Sequence, residues 1–161
     1  MFVVDTNVLV YAADADSPFH ARCRERLEQW RREPGAWYVT WGILYEFLRV
    51  TTHPRVMRRP WSGQEAWRFV AALLESPGLD VLVQTDRHQA VAERVFAEVR
   101  DLGGNLVHDA HTVVLMREHG VRFQPGVRGQ PASRITATPT VASTAAPRSR
   151  DDGRRRVTTA W

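Results

Sequence analysis

Short apolar runs alternate with longer stretches of helical periodicity along the first 122 residues of the chain. The apolar, β-branched and aromatic runs predict strands at Phe2–Val4, Trp37–Thr40 and Val81–Val83. Apolar residues at helical spacing, together with capping and stop signals, predict helices over 18–32, 42–51, 62–76, 86–103 and 105–119. Short strands separated by helices favour parallel β-α units, so the predicted fold class is α/β.

The composition changes after residue 122. Residues 123–161 contain no Leu, are rich in Pro, Thr, Ala and Arg, and follow no sustained period of either strand or helix. Such a composition is typical of a segment that cannot bury a core. The chain therefore divides into a predicted folded domain over 1–122 and a basic tail over 123–161 that we expect to be disordered.

Charge and composition exclude several classes of protein. The net charge is +4, and all 22 basic residues are Arg. Without Lys there is no P-loop lysine, kinase strand lysine or Schiff-base amine. Residues 1–122 hold 15 Arg against 16 acidic residues, so the positive charge belongs to the tail.

Cys23 is the only cysteine, which excludes an internal disulfide, and no apolar run would span a membrane. The first ten residues lack a basic n-region, so we expect a cytoplasmic protein.

Three acidic residues lie near the starts of predicted helices. Two of these positions follow a predicted strand, and the third follows the glycines that end the preceding helix. Asp5 follows the first strand directly, Glu46 lies in the helix after the second strand, and Asp109 lies about one turn into the last helix. In open α/β sheets, sites form beyond the carboxyl ends of the strands. Clustered carboxylates repel one another unless a cation or protons are shared, and oxygen ligands favour Mg²⁺ or Mn²⁺ over zinc.

The spacing alone leaves plainer alternatives open. Asp5 could cap the backbone of Asn7 and Val8, and Glu46 could be a solvated helix residue. The sequence His108-Asp109-Ala110-His111 lacks a third soft ligand for zinc, so we expect both histidines to be surface or core-edge residues. Among the tryptophans, Trp61 is the residue that we expect to be most exposed.

Three segments, FVVDTNVLVYAAD, TWGILYEFLRVTTHPRV and GGNLVHDAHTVVLMREHG, together resemble a PIN-domain ribonuclease of the VapC toxin type over about residues 1–121. The resemblance implies a three-layer α/β/α sandwich with a parallel sheet and a homodimer. It also implies a Mg²⁺-dependent endoribonuclease and a VapB-type antitoxin as partner. We expect the RNA substrate to be a structured RNA with exposed loops, because unstacked bases are the part of RNA that a protein can read.

The resemblance assigns roles to individual residues. Asp5, Glu46 and Asp109 match the family's catalytic, metal-binding acids. Thr6 and Asn7 match positions that support the first carboxylate by hydrogen bonding. Arg49 matches a basic position found in one branch of the family, although an ion pair with Glu46 one turn away explains it equally well.

The chain departs from the family pattern at its C-terminal end. The family continues into a further strand and a T-x-D-x-D-F-like segment with another acid, whereas here no acidic residue follows Glu118 until Asp151. We hypothesise that the ancestral reading frame was lost near residue 122, which leaves the final strand missing or replaced. The alternative function is then a catalytically impaired remnant that still binds antitoxin or RNA. A phosphatase with Asp5 as nucleophile is disfavoured, because such enzymes place a second acid where this chain has Asn7.

Overall fold

Four parallel strands form the centre of the computed structural model, which describes residues 1–33, 35–99, 103–104 and 106–124. The strands are β1 (Phe2–Val4), β2 (Trp37–Thr40), β3 (Leu79–Leu82) and β4 (Arg122–Gln124), in the spatial order β3-β2-β1-β4. All neighbouring pairs are parallel, with Val3 level with Tyr38 across the central pair. The strands therefore end at one common edge of the sheet.

Helices connect the strands and cover the sheet. They are α1 (Thr6–Ala13), α2 (His20–Arg32), α3 (Trp41–Thr51), α4 (Gly63–Leu74), α5 (His88–Glu98) and α6 (Leu106–His119). Within the described part of the chain, none of them is long and apolar enough to cross a membrane. The arrangement confirms the predicted α/β class with a parallel sheet.

The main core lies where the two central strands meet α1 and α3. Val3, Val4 and Val39 are fully buried, as are Leu44 and Phe47 of α3. Burying each such side chain contributes about 1.5–3 kcal/mol relative to exposure. This packing fixes the starts of α1 and α3 against the ends of β1 and β2, which is where Asp5 and Glu46 lie.

The structure adds one helix that the sequence analysis did not assign. Residues 6–13 form α1, and the Asp5 carboxylate caps it by accepting the backbone N–H of Asn7 at 3.3 Å. Five of its eight residues are buried, so the segment lacks the polar face that makes a helix recognisable in sequence. Helix α5 is also shorter than predicted and ends at Glu98. The predicted helix cap Asn105 lies outside the described residues.

The last strand, which the sequence analysis expected to be missing or replaced, is present over residues 122–124. These three residues form β4, which pairs with β1 along its whole length, Phe2 with Arg122 and Val4 with Gln124. A parallel pair needs only backbone groups, and the buried Val121 leads the chain back to the sheet. The strand passes the predicted boundary at 122, and residues 125–161, which make up nearly all of the predicted tail, lie outside the described residues.

A buried carboxylate ties the far end of α6 to the loop before α5. The side chain of Glu118 is 0% exposed and accepts hydrogen bonds from the backbone N–H of Thr85 at 3.0 Å, the hydroxyl of Thr85 at 2.5 Å and Nδ1 of His88 at 2.7 Å. Burial alone would raise the pKa of Glu118, but these hydrogen bonds outweigh it and lower the pKa to about 2. The contact fixes the helix that carries Asp109.

Glu118→Gln should therefore lower the free energy of unfolding at neutral pH by about 1–3 kcal/mol, because an amide cannot replace the charged acceptor. The Glu118 carboxylate contributes its full stabilisation above its ordinary pKa of 4.5. That stabilisation is lost as the pH falls toward its folded-state pKa of about 2. Denaturant unfolding at several pH values should show the difference in unfolding free energy between wild type and variant becoming smaller as the pH falls from 4.5 toward 2. Glu98→Gln is the control, because Glu98 pairs with Arg117 at the exposed side of the same two helices. A gap that does not change with pH would contradict the assignment.

Candidate active site

Asp5 lies at the junction of β1 and α1, at the carboxyl edge of the sheet. Counting on from the register of Val3 with Tyr38 brings Asp5 level with Thr40, the last residue of β2. Its half-buried carboxylate caps α1, where the positive end of the helix dipole favours a negative charge. The capping alternative from the sequence is thus confirmed. The cap uses only one oxygen of the carboxylate, so its remaining lone pairs interact with other partners.

Glu46 is held next to this junction from the neighbouring helix α3. The hydroxyl of Thr6 donates to Oε2 of Glu46 at 3.2 Å, which links the first residue of α1 to α3. Nη2 of Arg49 lies 3.6 Å from Oε1 of the same carboxylate. Both oxygens of Glu46 therefore have partners, and the carboxylate is oriented although its side chain is 46% exposed.

These contacts change one of the three supporting roles expected from the sequence, that of Thr6. Asn7 supports Asp5 as predicted, but through its backbone N–H. A hydroxyl has one proton to donate, and Thr6 gives it to Glu46, so Thr6 supports the second carboxylate rather than the first. Arg49 makes the ion pair with Glu46 that the sequence analysis gave as the alternative to a family role.

Asp109 completes the set from the first turn of α6. Burial raises the pKa of its half-buried carboxyl, and the negative charges of Asp5 and Glu46 raise that pKa further, with His108 partly offsetting them. Residues from three separate helices thus bring their charges within electrostatic reach of one another. The three acids are neighbours in space, although 104 positions separate the first from the last in the sequence.

The donor set fits a hard divalent cation. Carboxylate oxygens are the ligands that Mg²⁺ and Mn²⁺ prefer, and Mg²⁺ commonly binds through one or two carboxylates and keeps several waters. Among the described residues, however, no group of three or more Asp, Glu, His or Cys side chains is placed so that it could hold a metal ion. The acids are close enough to raise the pKa of Asp109, but as they stand they do not form a three-ligand metal site.

The histidines beside Asp109 do not contribute a further ligand set. His108 is exposed, and the ring of the half-buried His111 packs edge-on against His88 at 5.5 Å. Burial lowers the pKa of His111, and the charge of His88 lowers it further. Both positions agree with the surface and core-edge locations expected from the sequence.

The aromatic residues near the site differ from the expectation. Trp61 is half-buried and packs against Phe47 and Phe69, with ring centroids 6.1 Å and 5.7 Å away. Among the described residues, Trp67 of α4 and Trp41 of α3 are the exposed tryptophans instead, and Tyr45 is exposed beside Trp41. The sequence could have predicted that positions 41 and 45 are exposed, because helical spacing puts them outside the apolar face formed by Ile43 and Phe47.

Comparisons with known proteins agree with this geometry. Residues 2–123 match the PIN domain family. Ribonuclease VapC43 of Mycobacterium tuberculosis is 36% identical over 129 residues, which are 80% of this chain and 87% of that protein. Ribonuclease VapC48 of the same species is 34% identical over 117 residues, 73% of this chain and 80% of that protein.

A solved structure has the same fold. The crystal structure of VapC20 of Mycobacterium tuberculosis, described as a sarcin-ricin loop cleaving toxin, superposes with a TM-score of 0.53 at 18% sequence identity, covering 75% of this chain and 85% of that one. At that identity the likeness concerns the fold alone. The sequence matches establish the rest: the chain belongs to the PIN-domain family and, within it, to the VapC-type ribonucleases.

Proposed function

We propose that this protein is a toxin endoribonuclease that depends on Mg²⁺, or on Mn²⁺ in its place, and hydrolyses phosphodiester bonds of RNA. The observation that supports the proposal best is the convergence of Asp5, Glu46 and Asp109 at one edge of a parallel sheet. Such a concentration of negative charge is stable when a cation shares it. The ribonuclease names of the relatives at 34% and 36% identity point to the same chemistry.

The residues of the chain prepare the site for that cation. Asp5, Glu46 and Asp109 would hold the metal, which when bound stabilises negative charge on the phosphodiester and makes water more acidic. Thr6 orients Glu46 from the first turn of α1, and the backbone N–H of Asn7 orients Asp5. Arg49 offsets the charge of Glu46 and stays 65% exposed, so its guanidinium is also accessible to a phosphate.

The charge distribution supports a metal-dependent approach of RNA. Residues 1–122 have slightly more acidic than basic residues, so the folded part has no general attraction for a polyanion. A bound divalent ion reverses the local sign of charge at the acids. We expect the substrate to be an exposed loop of a structured RNA, because unpaired bases are the part of RNA that side chains can read.

Two partners belong to the same proposal. Toxins of the VapC type imply a VapB-type antitoxin that inhibits the enzyme, and a homodimer of the toxin itself. Membership of the family supports both.

A second function has one specific observation in its favour. No Asp or Glu occurs between Glu118 and Asp151, so the fourth acid of the family pattern is absent from the stretch that follows β4. A chain with three of four acids could retain the fold and bind antitoxin or RNA with little turnover. Cleavage by the purified protein should be compared with a version in which a T-x-D-x-D-F-like segment follows β4. Activity only in the restored version would favour the impaired remnant.

Chelation by EDTA should abolish RNA cleavage by the purified protein, and excess Mg²⁺ should restore it. Asp5→Asn should reduce the cleavage rate by at least about a hundredfold, since it removes a ligand charge at the metal. Asp80→Asn is a matched control, because Asp80 is an exposed acid in β3 whose carboxylate accepts the backbone N–H of Val81. Cleavage that persists in EDTA would rule out the metal mechanism.

In cells, induction of the wild type should slow growth and induction of Asp5→Asn should not.

Thr6→Val should raise the Mg²⁺ concentration needed for half-maximal cleavage by about 10–100-fold, because the isosteric side chain cannot orient Glu46. Thr6→Ser keeps the hydroxyl and should stay close to the wild type. A Mg²⁺ titration of the cleavage rate measures both. Equal requirements for Mg²⁺ in the Val and Ser variants would show that the contact of Thr6 with Glu46 has no functional role.

A further inference from the structure

Helix α3 presents an exposed face beside the acids. Its buried face packs Ile43, Leu44 and Phe47 into the core. The opposite face exposes five residues, which we call the α3 face: Trp41, Gly42, Tyr45, Glu46 and Arg49. One helix face thus combines two aromatic rings, a candidate metal ligand and a guanidinium.

The two aromatic rings are paired and accessible. Trp41 is 39% exposed and Tyr45 is 62% exposed, and their ring centroids are 5.9 Å apart at an interplanar angle of 35°. Their spacing of four residues places them on one side of the helix, and Arg49 continues the row by four more positions. Exposed aromatic surface of this kind is unfavourable in water unless a ligand covers it.

The α3 face continues into the site. Trp41 follows β2 directly, and the register of the central strands places the end of β2 level with Asp5. Tyr45 precedes Glu46, whose carboxylate is held by Thr6 at the start of α1. A strand whose phosphate lies at the acids therefore passes these rings as it leaves the site along α3.

The chemistry of the face suits an unpaired nucleotide better than a protein partner. Aromatic rings stack on any nucleobase, and an adjacent guanidinium binds phosphate. Even if fully exposed, two aromatic side chains would offer at most about 500 Å², less than the roughly 800 Å² that each partner of a stable protein interface buries.

We propose that Trp41 and Tyr45 form a stacking subsite for unpaired bases of the RNA strand, with Arg49 contacting a phosphate of the same strand. The subsite rests on the proposed ribonuclease function, and it would direct the enzyme to single-stranded segments, because paired bases have no free face to stack. Trp41 and Tyr45 are positioning residues in this scheme and take no part in the bond cleavage.

The test compares binding of a short fluorescent single-stranded RNA with binding of its duplex form, in Mg²⁺ and with Asp5→Asn in every protein, the otherwise wild-type one included, so that the RNA is not cleaved. The double variant Trp41→Ala/Tyr45→Ala should weaken single-strand binding by at least about fivefold and leave duplex binding unchanged. The duplex corrects for the Arg-rich residues 123–161, whose charge attracts both forms. Trp41→Phe/Tyr45→Phe keeps the rings and should bind single strands as the wild type does.

Trp67→Ala is the matched control, because Trp67 is 47% exposed on α4, a helix without a candidate ligand. Single-strand binding that is unchanged in the double alanine variant would overturn the subsite. The subsite would also be overturned if the double alanine variant changed its oligomeric mass in sedimentation but still preferred single strands. The α3 face would then be an interface between proteins. Binding is measured in proteins that do not cleave, so a protein without Asp5→Asn that failed to cleave RNA would contradict the ribonuclease proposal but not this subsite.

Discussion

Repulsion between like charges is the constraint around which this structure is organised. Three helices place Asp5, Glu46 and Asp109 at one edge of the sheet, and the first two carboxylates raise the pKa of the third beyond the effect of burial. The protein offsets part of this repulsion with its own groups: the backbone N–H of Asn7 at Asp5, and Thr6 and Arg49 at Glu46. These contacts orient the acids without neutralising the set. A divalent cation is the partner that such an arrangement favours.

The fold supplies this arrangement through short connections. Asp5 and Thr40 each cap the helix that follows a central strand, so the parallel register of β1 and β2 places α1 and α3 side by side. The third acid depends on a longer helix, α6, whose far end is fixed by the buried Glu118. The site therefore depends both on the packing of α1 and α3 and on the contact that holds α6. The acids and the α3 face share one edge, which is where an RNA strand would have to approach.

Much of this could be predicted from the sequence, for physical reasons that also explain the failures. Strands β1 and β2 and helices α2 to α4 and α6 follow from apolar periodicity and from signals such as the Ser62–Glu65 capping box, which the structure confirms. Helix α1 was missed because residues 6–13 are mostly buried and show no polar face. Strand β4 was expected to be missing or replaced because the acid motif beyond it is absent, yet backbone pairing with β1 does not depend on side-chain acids. Thr6 was assigned to Asp5 by its match to the family pattern, and only its tertiary contact with Glu46 reveals the other partner.

The most direct test of the shared cation is an anomalous diffraction map from crystals of this protein grown with Mn²⁺. The account predicts one strong peak within coordination distance of Asp5 and of at least one of Glu46 and Asp109, with the acids drawn together around it. A map with no peak at this edge of the sheet under saturating Mn²⁺, or with the ion bound by other residues, would contradict it.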